Sequence, residues 1–159
     1  MRRFVPGNER GAVAVEFAVM LPVIALILFG TIQFGIALSR TEIFENAARE
    51  GARYAATHCR PQSVTGCTNA LIFQRVDAAV PDAYAVGPGS PSCSDASKVC
   101  SEVLDPSTGA PSGKTSCDSS TYGWPVRVYW TQDLGEIDIP FYRDFVVDRT
   151  IEGVFRCEA

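Results

Sequence analysis

Two features of this chain can do chemistry by residue type and spacing: a glycine and an acid at the edge of an apolar run, and a set of cysteines. Gly11 is followed by Ala12, Val13, Ala14 and Val15, then by Glu16, after which the sequence turns strongly apolar. A carboxylate in a membrane helix costs about 2.5 to 3.5 kcal/mol at full depth and less near the interface, so Glu16 calls for a cation. Arg2, Arg3 and Arg10 precede it, but a leader on the aqueous side stays hydrated. Cleavage between Gly11 and Ala12 would create a new positive charge, the α-amine of Ala12, one helical turn before Glu16 or facing the Glu16 of an adjacent copy. The chemistry on offer is proteolysis suffered by the chain, followed by charge pairing.

The 6 cysteines, Cys59, Cys67, Cys93, Cys100, Cys117 and Cys157, all follow the apolar run. An even number on one side of it points to an oxidising compartment and to disulfides whose connectivity spacing alone leaves open. Cys59 with Cys67 would close a small loop where a helix ends, and Cys157 would tie the last strand to the rest.

Other groupings fall short of a site. Residues 109–115, GAPSGKT, look like a phosphate loop, but the glycines are one residue too close and Pro111 intervenes. His58 is the only histidine; with Cys59 and Cys67 it makes an incomplete zinc set, and thiols in that compartment are oxidised. Asp133, Glu136, Asp138 and Asp144 match no calcium loop and read as a solvated acidic connection. No nucleophile has a histidine base beside it. The reading is therefore not an enzyme: no catalytic residues, no metal and no cofactor. A formal net charge of −4, with the acids concentrated after the apolar run and a basic leader before it, gives no electrostatic footprint for nucleic acid.

The elements that must position these residues begin with the apolar run. About 22 residues, 17–38, carry no formal charge, and roughly 20 in helical form cross a bilayer core. The run is too long for the apolar core of an ordinary secretory signal, and a plain uncleaved anchor leaves Glu16 unexplained. Pro22 should kink or loosen the helix. Gly30 and Gly35 thin it, and Gln33 is a polar group able to bond across a helix interface. Helical pattern continues beyond the run: Ala47, Gly51 and Ala55 recur every four residues, and Ala48, Ala52 and Ala56 repeat the spacing one position over. Such a small, smooth face admits close approach by another helix or by a sheet. If continuous to about His58 the helix would be on the order of 70 Å long; a bend near Ser39 is the alternative.

Beyond it, residues 69–80 read as a short amphipathic helix with Thr68 or Asn69 as N-cap and Pro81 as stop. Residues 87–123 are rich in Gly, Pro and Ser and read as cross-linked loops rather than core, with a short strand around 98–104. Residues 124–131 and 145–157 alternate as strands, an antiparallel pair able to cover the small face of the long helix. The expected fold is α+β: a leader over 1–11, a long helix over 12–59 with its transmembrane part at about 17–38, and a cysteine-rich head over 60–159. Three leader arginines against Glu9 keep the N-terminus cytoplasmic by the positive-inside rule, so the head is periplasmic or extracellular.

A basic leader ending in Gly11, four apolar residues, Glu16, Phe17 and an apolar helix resembles the class III signal of type IV pilins and pseudopilins. Residues 46–56, NAAREGARYAA, resemble the segment typical of TadE-like proteins, minor pilins of the tight-adherence (Tad or Flp) pilus system. The resemblance covers about residues 8–57 and implies a pilin-like fold, cleavage between Gly11 and Ala12 by a prepilin peptidase, and pairing of Glu16 with the Ala12 amine. It implies a role in starting or capping a pilus, with the major Flp pilin, other minor pilins, an inner-membrane assembly platform and membrane lipid as partners. The other reading is a single-pass anchored periplasmic binding protein with no assembly role.

Overall fold

The computed structural model describes residues 9–58, 68–82, 84, 86, 93, 95, 97–137 and 145–158. The first element, α1, is one α-helix from Glu9–Thr57 with Pro22 inside it. No break divides it near Ser39, and Pro22 does not interrupt the element. Thr41 helps at the junction, its hydroxyl donating to the Ala37 carbonyl at 3.0 Å. The large apolar side chains from Val13 to Leu38 stand in the open, while Phe44, Ala47, Ala48, Ala52, Ala55 and Ala56 are buried. The helix thus has two halves of opposite character.

The second helix, α2, spans Asn69–Ala78. Thr68 takes the N-cap position in extended conformation, but its side chain makes no capping bond; instead its carbonyl accepts from Leu71 and Ile72. Asn69 is put to other use. Buried, it accepts from the Ser101 backbone N–H at 3.2 Å and so ties α2 to the sheet.

Three antiparallel strands, β1 (Cys100–Val103), β2 (Pro125–Ile137) and β3 (Phe145–Arg156), lie in the order β1-β2-β3. Alternation sets the faces: Val126, Val128 and Trp130 of β2 and Ile151 of β3 turn inward and are fully buried, whereas Arg127, Tyr129 and Glu152 share the outer face. A register shift between Asp133 and Glu136 marks a bulge near the far end of β2. The outer edge of β1 is covered by the following loop, Val103 N–H donating to Lys114 O and Ser112 N–H to Val103 O, both at 2.8 Å.

The core lies where the small face of α1 meets both α2 and the sheet. A Cβ placed on Gly51 would meet Val76 and Ile72 of α2 and Val128 of β2; at Gly153 on β3 it would strike the backbone of Ala48 and Arg49. At Gly153 no larger residue permits the approach, and at Gly51 one would have to displace the Val76 methyl; the stripe of Ala and Gly is filled from within the chain. Phe44 completes the core edge-on to Trp130 and Tyr84, at centroid distances of 6.4 and 6.0 Å.

Disulfides join Cys93 to Cys100 and Cys117 to Cys157. The second staples the loop before β2 to the end of β3, beside a backbone pair in which Cys157 N–H donates to Trp124 O and Gly123 N–H donates to Cys157 O. Cys59 and Cys67 lie outside the described residues. The short strand expected around 98–104 is present as β1, but the expectation that 87–123 supplies no core needs correction. Val99, Cys100, Ser101, Glu102 and Val103 are all buried, because the polar members find partners elsewhere in the chain: Ser101 Oγ donates to Thr115 O at 2.6 Å and Tyr129 Oη donates to Glu102.

Candidate functional site

The candidate site is the exposed half of α1 and its junction with the head. At its start Gly11 is open, with nothing within 4 Å of where a Cβ would stand; Ala12 belongs to the helix, and its side chain is outside the described set. Glu16 is exposed and, among the described residues, meets no cation. From Phe17 to Ser39 the helix has no ionisable side chain, so the next charge is Arg40, about 36 Å farther along at 1.5 Å per residue. Thr31 satisfies its hydroxyl internally by donating to Leu28 O at 2.9 Å. What remains is an apolar surface bearing one carboxylate near its end, long and apolar enough to cross a membrane.

Arg40 closes that surface. Its Nη1 donates to the Leu134 carbonyl of β2 at 2.7 Å, and the guanidinium lies 5.8 Å from the centre of the Tyr84 ring. A charge-assisted bond plus a cation–π contact pins the far part of the sheet to the helix at the point where the apolar run ends. Sequence reasoning missed this role; the signal was only that Arg40 is the first charged residue after the run, and nothing in the sequence names Leu134 as its acceptor.

On the solvent side of the head-bearing half, Glu45 pairs with Arg49 at 3.7 Å and with Arg149 of β3 at 3.2 Å, while Glu50 pairs with Arg53 at 3.9 Å. These are exposed pairs worth at most about 1 kcal/mol each. Glu42, Glu45, Asn46 and Arg49 line a shallow polar groove. On the outer sheet face Arg127 stands 3.5 Å from Glu102 and 4.0 Å from Glu152, with its guanidinium 4.5 Å over the Tyr129 ring. Burial, and then the Glu102 carboxylate beside it, push the Tyr129 phenol above its ordinary value.

The groupings weighed from sequence resolve into structural uses. Lys114, in the phosphate-loop look-alike, is held by Asp118 Oδ2 at 2.5 Å and Ser120 Oγ at 2.6 Å, and its backbone roofs β1. The Lys114 and Ser120 hydrogen bonds hold the Asp118 carboxyl well below the usual range. His58 stacks on Tyr54 at 4.9 Å between centroids, with Nδ1 at 2.7 Å from Thr57 Oγ1. The sulfurs of Cys93 and Cys100 lie close to a Glu102 carboxylate oxygen, but both are spent in a disulfide. Asp133 stands opposite Asp148 across the β2–β3 ladder; Asp138 and Asp144 lie outside the described residues.

A single helix, bare and apolar in its first half and roofed by a small antiparallel sheet in its second, defines an α+β protein. Residues 11–53 match the family model of TadE-like proteins, a family of the Tad pilus system, and that segment runs from Gly11 through the bare half into the small-residue stripe. The head beyond residue 53 is outside the match. Comparisons with curated proteins and with solved structures gave no match.

Proposed function

We propose that this chain is a minor pilin or pseudopilin that initiates or caps a Tad/Flp pilus. In this reading the helix crosses the inner membrane through residues 17–38, with the leader cytoplasmic and the head periplasmic. A prepilin peptidase cuts between Gly11 and Ala12, leaving a leader of 1–11, a helix from 12 to 59 and a head of 60–159. Glu16 then neutralises the Ala12 amine of a neighbouring subunit.

The observation that carries the reading is the contrast between the halves of α1. The small-residue face at Ala47, Ala48, Gly51, Ala52 and Ala55 is consumed by the chain's own sheet and α2, so the surface left for contact with other helices is the bare half, and it carries one acid at its start. An uncompensated buried carboxylate is strongly destabilising, and a freshly exposed amine on the next helix supplies the compensation and fixes the register. A head of this size, stapled by Cys93 with Cys100 and Cys117 with Cys157, suits a scarce initiating or terminal component. Partners are then the major Flp pilin, other minor pilins and the inner-membrane assembly platform.

N-terminal sequencing of membrane-bound protein from its native cell tests this. Ala12 as first residue supports it; an intact leader overturns it in favour of an uncleaved anchored periplasmic protein.

A further inference from the structure

The connection from β1 to β2 opens with a turn whose side chains bury nothing. Residues 106–111, PSTGAP, carry no charge and no large side chain, and every one of them is exposed. The turn is nevertheless fixed. Asp105 N–H donates to Ala110 O at 2.9 Å and Gly109 N–H to Asp105 O at 2.7 Å, while Leu104 forms a bridge with Pro111. Gly109, at φ 69°, supplies the left-handed conformation that the reversal needs. A rigid protruding turn of small uncharged residues adds nothing to the core. Ser and Thr set among Pro is instead the composition of segments that carry O-linked sugar.

The hydroxyl groups of this region are not equivalent. Ser107 Oγ donates to Asp105 Oδ1 at 2.5 Å, Ser97 Oγ to Asp95 Oδ1 at 2.7 Å and Ser120 Oγ to Asp118 Oδ1 at 2.7 Å, so each of those protons is spent on a carboxylate. Thr108 is the reverse case. Its Oγ1 accepts from Ala110 N–H at 3.2 Å, and its own proton has no acceptor among the described residues. A hydroxyl oxygen has two lone pairs, so the Ala110 contact orients the side chain and leaves one lone pair and the O–H unused. Ser119 is exposed as well, but it adjoins the Asp118 carboxylate that Lys114 holds.

Space and position suit the same residue. A Cβ at Gly109 or at Gly113 would meet nothing within 4 Å, so a sugar ring on Thr108 finds open room without any part of the fold moving. β1 ends at Val103 opposite Val126, and β2 runs from there to Leu134 at Arg40, where the bare half begins. The turn therefore stands at the end of the head farthest along the sheet from that half.

We propose that Thr108 is a site of O-glycosylation, its Oγ1 taking a sugar from a diphosphate-activated donor. The anomeric carbon bonds to Oγ1 as its bond to the donor phosphate oxygen breaks; the diphosphate leaves with the electron pair, and the hydroxyl proton passes to a base of the transferase. Ser107, one residue away, is passed over because its proton is already bound to Asp105.

Trypsin, cutting after Lys98 and Lys114, isolates residues 99–114 of the reduced full chain as one peptide, and residues 115–127, with Ser119, as the next. Both are weighed by mass spectrometry in protein from its native cell, with electron-transfer fragmentation to keep any sugar on its residue. The expected result is a shift of the 99–114 peptide by the mass of one or more sugar residues, localised to Thr108, abolished in Thr108→Val and kept in Thr108→Ser and in Ser107→Ala. Recovery of that peptide only at its unmodified mass, with or without sugar on 115–127, overturns the proposal. So does an addition on Ser107 or Ser112, or one with the mass of phosphate. None of these results bears on cleavage after Gly11, which N-terminal sequencing reads separately.

Discussion

Gly153 of β3 lies directly on the helix backbone at Ala48: a Cβ at position 153 would come 2.3 Å from the Ala48 carbonyl carbon and 2.4 Å from Arg49 N. Neither atom can rotate away, so Gly153→Ala must lift the strand or break the contact. Overpacking of this kind costs about 1 to 3 kcal/mol, at the upper end when backbone must move. At Gly51 the obstructing atom is a Val76 methyl, 2.5 Å away, and Ala regains about 1 kcal/mol of helix propensity over Gly. Thermal unfolding of the chain in detergent should show a clearly larger fall in Tm for Gly153→Ala than for Gly51→Ala.

The two described disulfides differ in the loops they close. Cys117 and Cys157 are 40 residues apart and Cys93 and Cys100 only 7. Chain entropy then assigns about 4 kcal/mol to the longer closure and about 2.4 to the shorter. Replacing Cys117 and Cys157 together by Ser should lower the denaturant midpoint more than replacing Cys93 and Cys100, and should free the end of β3 to exchange its amides faster in hydrogen-exchange measurements.

Asp118 sets a pH dependence. Its folded value lies below the ordinary 3.8 because Lys114, then Ser120, hydrogen-bond its charged form, and Asp95 and Asp105 shift the same way through Ser97 and Ser107. A depressed carboxylate contributes stability that is present above the unfolded value and is lost as pH falls through the folded one. Melting temperature should therefore hold steady from about pH 7 to 5 and decline below about 4. Asp118→Asn should lower the neutral-pH value and flatten the acid decline; an unchanged acid limb would remove Asp118 from the account.

For assembly, Glu16→Ala should leave cleavage after Gly11 largely intact, since peptide-bond hydrolysis does not require the acid, while incorporation into pili falls sharply. Immunoblots of cell and sheared-pilus fractions read both outcomes together. Normal incorporation would remove the charge-pairing step.

Much of this architecture was legible because periodicity carries it. The four-residue recurrence of Ala47, Gly51 and Ala55 gave the covered face of α1, Ile72 and Val76 gave α2, and the alternation of Val126, Val128 and Trp130 gave β2 with its buried side. Harder to read was anything decided by a partner distant in sequence. The short strand around 98–104 was legible as β1, but the burial of all four of its residues was not, because hydrogen bonds from Ser101 and to Glu102 are invisible without the fold. Cysteine spacing could not choose among pairings, and Asn69, legible as a cap, serves as a cross-link to Ser101. Of the candidate site, the helix and its lone acid were readable; the Arg40 clamp on Leu134 was not.

The unbroken passage of α1 through Ser39 leaves no swivel between the bare half and the head. Each residue of an α-helix turns the chain by about 100°, so the compass bearing of the head is dictated by the rotation of the bare half about its own axis. One residue inserted at that junction would swing the sheet about a quarter-turn around the rod while raising it only about 1.5 Å.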